Sequence, residues 1–181
     1  MASSACKRIL IANRGEVACR VIRTCRKLRI ESVVIYSEAD KKTRAVKLAD
    51  HTVAMPGFES AETYLNIELI IEIAKNTKAD AIHPGYGFLA ENAEFAEACE
   101  KNGIIFIGPR PETISQMASK SESKELAKKV GLRVLEESRG FPVLVKAVYC
   151  GGGKGQRIVN TESELKEAIE AVKRESRAAF G

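Results

Sequence analysis

The sequence predicts an α/β fold: a parallel sheet with helices on both faces, then a smaller subdomain built on a hairpin. Three observations predict it. Short apolar runs rich in Val and Ile alternate with helical patterns from Arg8 to Ile107, the rhythm of strand–helix–strand units. The pattern changes after Gly108-Pro109. Beyond that point, four glycines and a lysine fall within Cys150–Gly155, between two strand-like runs.

The first strand is expected over Arg8–Ala12. After the Asn13-Arg14-Gly15-Glu16 turn, Val17, Val21, Ile22, Cys25 and Leu28 line one face of a helix. Ser32–Tyr36 reads as strand two. Ser37-Glu38-Ala39-Asp40 turns the chain into a short helix ending at Leu48, and His51–Met55 is a weak third strand broken by Pro56-Gly57. Asn66 is placed to cap a helix with Ile67, Ile70, Ile71 and Ala74 on its apolar face. Ala79–His83 is the fourth strand. The loop His83-Pro-Gly-Tyr-Gly-Phe88 leads to a helix bearing Phe95 and Cys99, and Ile104–Ile107 is the fifth strand.

Past Pro109, Ile114 and Met117 suggest one short helix, and Leu126, Ala127 and Val130 a second that ends at Gly131. Arg133–Leu135 reads as a strand, Val143–Val145 as another and Arg157–Val159 as a third, forming a small antiparallel sheet. Thr161 with Glu164 forms a capping box for a last helix, whose face is Leu165, Ala168, Ile169 and Val172. This is a thin core for such a segment.

Composition narrows the function classes. Apolar residues make up 45% and charged residues 29%, as in a soluble globular protein, and no apolar run approaches a membrane span. Seven residues before the first strand leave no room for a targeting segment. The expected location is therefore the cytoplasm, or the mitochondrial matrix if a transit peptide has been removed. Five cysteines without a Cys-x-x-Cys pair argue against a disulfide framework, and two histidines argue against zinc. The net charge of +5 is spread over scattered basic groups without interleaved aromatics, so nucleic acid is not an expected partner.

In open parallel sheets, ligands sit beyond the C-terminal strand ends. Asn13–Glu16 and His83–Phe88 occupy those ends. Only Gly15 stands where a dinucleotide fingerprint would need three glycines, which argues against a hydride-transfer reading. Lys146 at the end of an apolar strand, followed by a glycine tip rich in N–H groups, suits a triphosphate. The same tip also fits a plain flexible hairpin, and no Walker A loop is present.

Four stretches carry a resemblance: Ile11–Ala18 (IANRGEVA), His83–Asn92 (HPGYGFLAEN), Phe106–Pro109 (FIGP) and Lys146–Gly155. In order and spacing they resemble the biotin carboxylase component of biotin-dependent carboxylases, within the ATP-grasp superfamily. Acetyl-, propionyl- and methylcrotonyl-CoA carboxylases and pyruvate carboxylase share them. The resemblance implies a Rossmann-like biotin carboxylase N-terminal domain over 1–109 and an incomplete ATP-grasp small (lid) subdomain over 110–181. It implies ATP, Mg2+ and biotin as the reaction's requirements, with bicarbonate attacking the γ-phosphate and CO2 passing from carboxyphosphate to biotin. Lys120 and Lys146 are assigned to the ATP phosphates, with Gly151, Gly152, Gly153 and Gly155 as the flap over them. Tyr86, Gly87 and Glu91 are assigned to the biotin and bicarbonate side. Taken alone, Lys120 fits a solvated helix lysine, Tyr86 fits core packing, and Glu91 fits a helix N-terminus. Implied partners are a biotin carboxyl carrier domain, a carboxyltransferase and a second copy through the helix carrying Arg20 and Arg23, which as residues also fit a solvated helix face.

The sequence departs from that family in four places. It stops at Gly181, ahead of the family's magnesium carboxylates, bicarbonate base and biotin-side arginine. The Val134–Phe141 segment is short, which is expected to expose apolar atoms of the small sheet, either Val143 and Val145 or the inner face of Leu165 and Ile169. Cys150 replaces a usual glycine and Gln156 a usual methionine. Ala118-Ser119 stands for Gly-Asp, and Lys27 for a glutamate of the bacterial dimer helix. Two readings follow: the N-terminal part of a biotin carboxylase with no turnover of its own, or an inactive truncated product that binds nucleotide or a partner.

Overall fold

The structure, a computed structural model, describes residues 6–134, 140–146 and 155–180. The chain divides into two compact units, residues 1–115 and 116–181, each described below by itself.

In the first unit, β1 (Arg8–Ile11), β2 (Glu31–Tyr36), β3 (His51–Ala54), β4 (Ala81–His83) and β5 (Ile105–Phe106) form one sheet in the order β3-β2-β1-β4-β5. Every pairing is parallel. Helices α1 (Gly15–Leu28), α2 (Arg44–Leu48), α3 (Ile67–Asn76) and α4 (Ala93–Lys101) connect the strands. Side chains alternate across a strand, and both faces are apolar. Leu10, Val33, Ile35 and Ile82 meet Ile70, Ala74, Phe95 and Cys99 on one face. Ile9, Ile11 and Val34 meet Ala18, Val21, Ile22 and Cys25 on the other. Asn66 caps α3 by accepting from the Leu69 N–H at 3.0 Å, and Asn92 caps α4 by accepting from Phe95 at 2.8 Å.

Four strands are shorter than expected: β1 and β3 each lose their last residue, and β4 and β5 each begin later. Ala79 donates its N–H to Ala74, so it belongs to the turn closing α3, and β4 begins two residues later. Ile104 likewise donates to Cys99 at the end of α4. Helix α5 (Pro111–Ala118) follows, with Ile114 buried.

At the opposite end of the sheet, carboxylates take up the backbone N–H groups that open the strands. Asp80 accepts from Lys7 at 2.7 Å and Arg8 at 2.9 Å, and Asp50 accepts from the Ser32 N–H at 2.9 Å and hydroxyl at 2.7 Å. These hydrogen bonds hold both carboxyls below the usual range, and the Arg8 hydrogen bond does the same for Glu31. A carboxyl lowered on folding adds stability above its unfolded value, near pH 4, and loses it as pH falls through the folded value. Urea midpoints should therefore fall below about pH 4, and Asp80→Asn should lower the midpoint at pH 7 and flatten that fall. A pH profile unchanged by Asp80→Asn would remove Asp80 from this role.

In the second unit, α6 (Lys120–Lys129) is capped by Ser119, which accepts from the Glu122 N–H at 3.4 Å. β6 (Val143–Lys146) and β7 (Gln156–Val159) form an antiparallel hairpin in which Leu144 faces Ile158 and Lys146 faces Gln156. Helix α7 (Glu162–Phe180) packs on the hairpin, with Val159 and Val172 buried. Three expectations are corrected here. Arg133 and Val134 lie outside any strand, and Leu135 is outside the described residues. The capping box is displaced: the Glu164 carboxylate accepts from the Asn160 N–H at 3.1 Å, while the Thr161 hydroxyl meets that of Ser163 at 3.0 Å. The exposed apolar pair is Leu144 (47%) with Ile158 (72%). Val143 and Val145 are half-buried, because α7 covers their side of the hairpin and leaves the other face open.

Among the described residues no helix is long and apolar enough to cross a membrane.

Candidate functional site

The C-terminal ends of β1, β2 and β4 bring three loops together. Ala12 donates to the His83 carbonyl at 3.0 Å, which sets the β1–α1 turn beside the β4–α4 loop. Asn13 follows, only 2% exposed. Its carboxamide donates to the Pro84 carbonyl at 2.7 Å and the Tyr86 carbonyl at 3.0 Å, and its oxygen accepts from the Arg14 N–H at 2.9 Å. A buried amide with every such bond filled is a rigid support.

The Gly85 N–H donates to His83 Nδ1 at 2.9 Å. Burial, then the charge of Arg20, holds His83 below the ordinary histidine range, so at neutral pH its ring is free to accept that bond. A Cβ on Gly85 would lie 2.5 Å from Val17 Cγ1 and 2.7 Å from Asn13 Nδ2, and its φ is +69°. Only glycine fits there. Gly87 also has positive φ (+71°) but opens onto free space. Phe88 sits at φ +41°, costly for a bulky residue at roughly 1–3 kcal/mol. It is held by stacking on Tyr64, ring centroids 5.0 Å apart, with the Arg14 guanidinium 6.0 Å from the Phe88 ring and 5.9 Å from the Tyr64 ring.

Asp40 anchors this group from the loop after β2. It is 8% exposed. One carboxylate oxygen accepts from Arg14 at 3.2 Å, the Ser37 hydroxyl at 3.1 Å and the Tyr64 hydroxyl at 2.9 Å. Tyr64 in turn accepts from the Ser37 N–H at 3.2 Å. Burial, reinforced by Asp40, pushes the Tyr64 phenol up to about 12, so it stays a hydrogen-bond donor.

The first unit thus gathers Tyr86 and Gly87 on one loop. Tyr86 is 66% exposed, which sets aside the core-packing reading. Its hydroxyl donates to Glu16 at 3.4 Å, and Glu16 pairs with Arg23 at 3.9 Å. Glu91 is exposed in the turn ahead of α4, one residue before the capping Asn92. Arg20 and Arg23 lie on the exposed face of α1, with Arg23 donating to the Cys19 carbonyl at 3.2 Å. In the second unit, Lys146 ends β6 and is exposed, and its register partner Gln156 follows Gly155, a buried glycine at φ +64°. Lys120 opens α6, but its side chain lies outside the described residues, as do Gly151, Gly152 and Gly153.

Residues 5–114 match the family described as biotin carboxylase, N-terminal domain. The chain belongs to the biotin carboxylase family. Residues 111–181 match the ATP-binding domain of the carbamoyl-phosphate synthase large chain. The alpha subunit of rat mitochondrial methylcrotonoyl-CoA carboxylase is 46% identical over 96% of this chain and 26% of its own length. Biotin carboxylase 1 of Bacillus subtilis is 44% identical over 97% and 42%. The crystal structure of the biotin carboxylase domain dimer of Hydrogenobacter thermophilus 2-oxoglutarate carboxylase, in complex with MgADP, ADP and bicarbonate, superposes with a TM-score of 0.92. It is 44% identical, and the match covers 99% of this chain and 43% of that one. The chain therefore spans about a quarter to two fifths of the length of these relatives.

Within this biotin carboxylase fold, Asn13, Asp40 and Tyr64 support the site without being among the site residues expected from the sequence. For Asn13 and Asp40 the available signal is a polar residue in the turn after an apolar strand, whereas Tyr64 lies in the long connection ahead of α3 and carries no such signal. Among the described residues no group of three or more His, Cys, Asp or Glu could hold a metal.

Proposed function

We propose that this chain supplies the N-terminal part of a biotin carboxylase, the component that carboxylates biotin with ATP and bicarbonate. The observation that carries this is the HPGYGFLAEN loop hung on the IANRGE turn by Asn13, within a chain that matches the biotin carboxylase N-terminal domain. Tyr86, Gly87 and Glu91 face biotin and bicarbonate. Lys120 and Lys146 hold the ATP phosphates, and Gly151, Gly152, Gly153 and Gly155 form the flap. Cations and oriented N–H groups stabilise charge spread over phosphoryl oxygens. Residues 1–109 form the N-terminal domain, and 110–181 the portion that carries the nucleotide contacts. Its partners are a biotin carboxyl carrier domain, a carboxyltransferase and a second copy docked through Arg20 and Arg23.

A second reading, a nucleotide- or partner-binding module without turnover, draws on the exposure of the cation assigned to the phosphates. Lys146 is exposed, and in water a charge pair at 4 Å is worth only about 1 kcal/mol. Ordering the glycine flap offsets much of that. ATP should bind at about millimolar Kd, near 4 kcal/mol, and more weakly with added salt or with Lys146→Met. Calorimetry gives the affinity, and a coupled phosphate assay with bicarbonate and biotin tests turnover. Binding indifferent to Lys146→Met would overturn the phosphate assignment. Biotin-dependent phosphate release would overturn the module reading in favour of an active carboxylase.

A further inference from the structure

Tyr86 and Gly87 stand on a loop with little packing of its own: Tyr86 and Gly87 are exposed, and no atom lies within 4 Å of where a Gly87 Cβ would be. What fixes them lies in the neighbouring turn. Asn13 holds the near end of the loop through the Pro84 and Tyr86 carbonyls. The next residue, Arg14, covers Phe88 at the far end and is itself tied to the buried Asp40. Consecutive residues of one turn therefore grip the loop on both sides of Gly87. The Gly85 N–H bond to His83 closes the near end from within.

We propose that Asn13 and Arg14 act as a two-point clamp, a pair of positioning residues that sets the place of Tyr86 and Gly87 through backbone and ring contacts. This rests on the reading that Tyr86 and Gly87 face biotin and bicarbonate. Asn13 is suited to the task because it supplies two donors to two carbonyls that converge on it. An aspartate of the same shape has none when ionised, and would set a charge against both carbonyl oxygens. Arg14 suits the far end because its planar cation lies over two stacked rings while still reaching a carboxylate.

The test is NMR of the 181-residue chain without ligand, reading the Gly85 and Gly87 amides, the Tyr86 and Phe88 rings and the His83 titration. Asn13→Asp should shift Gly85, Tyr86 and Gly87 and lower Gly85 exchange protection by about tenfold or more. It should also raise the His83 midpoint, since loss of the Gly85 bond frees the ring to take a proton. Methyl signals of Leu10, Val33 and Ile82 should stay in place. Arg14→Met, a change at a half-exposed side chain, should move the Phe88 ring and Gly87 together. Glu16→Ala, which removes the partner of the Tyr86 hydroxyl and of the exposed Arg23, should leave the Gly85 and Gly87 amides unmoved. Loop signals unchanged in Asn13→Asp, or in Arg14→Met, would overturn the clamp. So would a Gly85–Gly87 displacement in Glu16→Ala, a result that stands even if Asn13→Asp does not fold. Because loop geometry is read without biotin, the clamp can fail while the functional reading stands, and failure to bind biotin leaves the clamp standing.

Discussion

Gly85→Ala should destabilise the first unit by about 2–5 kcal/mol, from overpacking of roughly 1–3 kcal/mol and a left-handed backbone cost of roughly 1–2 kcal/mol. The new methyl would meet Val17 Cγ1 at 2.5 Å and Asn13 Nδ2 at 2.7 Å. Val17 is buried on α1, and Asn13 is bonded to two carbonyls, so neither yields freely. The alternative is for the loop to lift, which would break the Asn13 bonds and the Gly85 bond to His83. Gly87→Ala is the matched control. Its φ is nearly the same, but nothing lies within 4 Å, so only the backbone cost of about 1–2 kcal/mol remains. Urea denaturation of the two variants side by side reads the difference. Equal losses would mean that the close approach at Gly85 relaxes without penalty.

Asp40→Ala should cost about 2–4 kcal/mol, close to the loss on removing one partner of a buried pair but reduced because Arg14 is half-exposed. The carboxylate serves three donors from three places in the chain: Arg14 after β1, Ser37 after β2 and Tyr64 ahead of α3. Without it the Tyr64 and Ser37 hydroxyls are left to find other partners in a dry site. Tyr64→Phe removes one of those donors and leaves the buried Ser37 N–H without its acceptor, at about 1–3 kcal/mol. The two losses should add to less than their sum, because they act on one network. A double-mutant cycle by thermal or urea unfolding measures this. Strict additivity would mean that Asp40 and Tyr64 stabilise the unit independently.

The sheet was legible because its signal is local and repeated. A run such as Arg8–Ala12 or Ser32–Tyr36 is apolar on both faces, which a sheet covered by helices on both sides requires. Strand ends were less legible. Ala79 and Ile104 are apolar and adjoin strands, but their N–H groups are taken by the carbonyls of the preceding helices, Ala74 and Cys99. The hairpin is legible at β6 and β7, but its exposed face is not. Val143 and Val145 differ little from Leu144 and Ile158 in composition. Which pair is covered depends on the side against which α7 packs, and that is a long-range fact.

The sequence by itself determined the class of fold, the loops at the strand ends and, through IANRGE, HPGYGFLAEN and the glycine cluster, the family. These are patterns of neighbouring residues, set by side-chain periodicity and by the backbone freedom of glycine. Only the tertiary structure decided what holds the loop of Tyr86 and Gly87. Asn13 meets Tyr86 from 73 residues away, and Asp40 meets Tyr64 from 24. No local rule makes an asparagine after one strand the donor to carbonyls after another. That follows from parallel pairing of β1 with β4, which places their C-terminal ends side by side and leaves buried carbonyl groups that must find a donor.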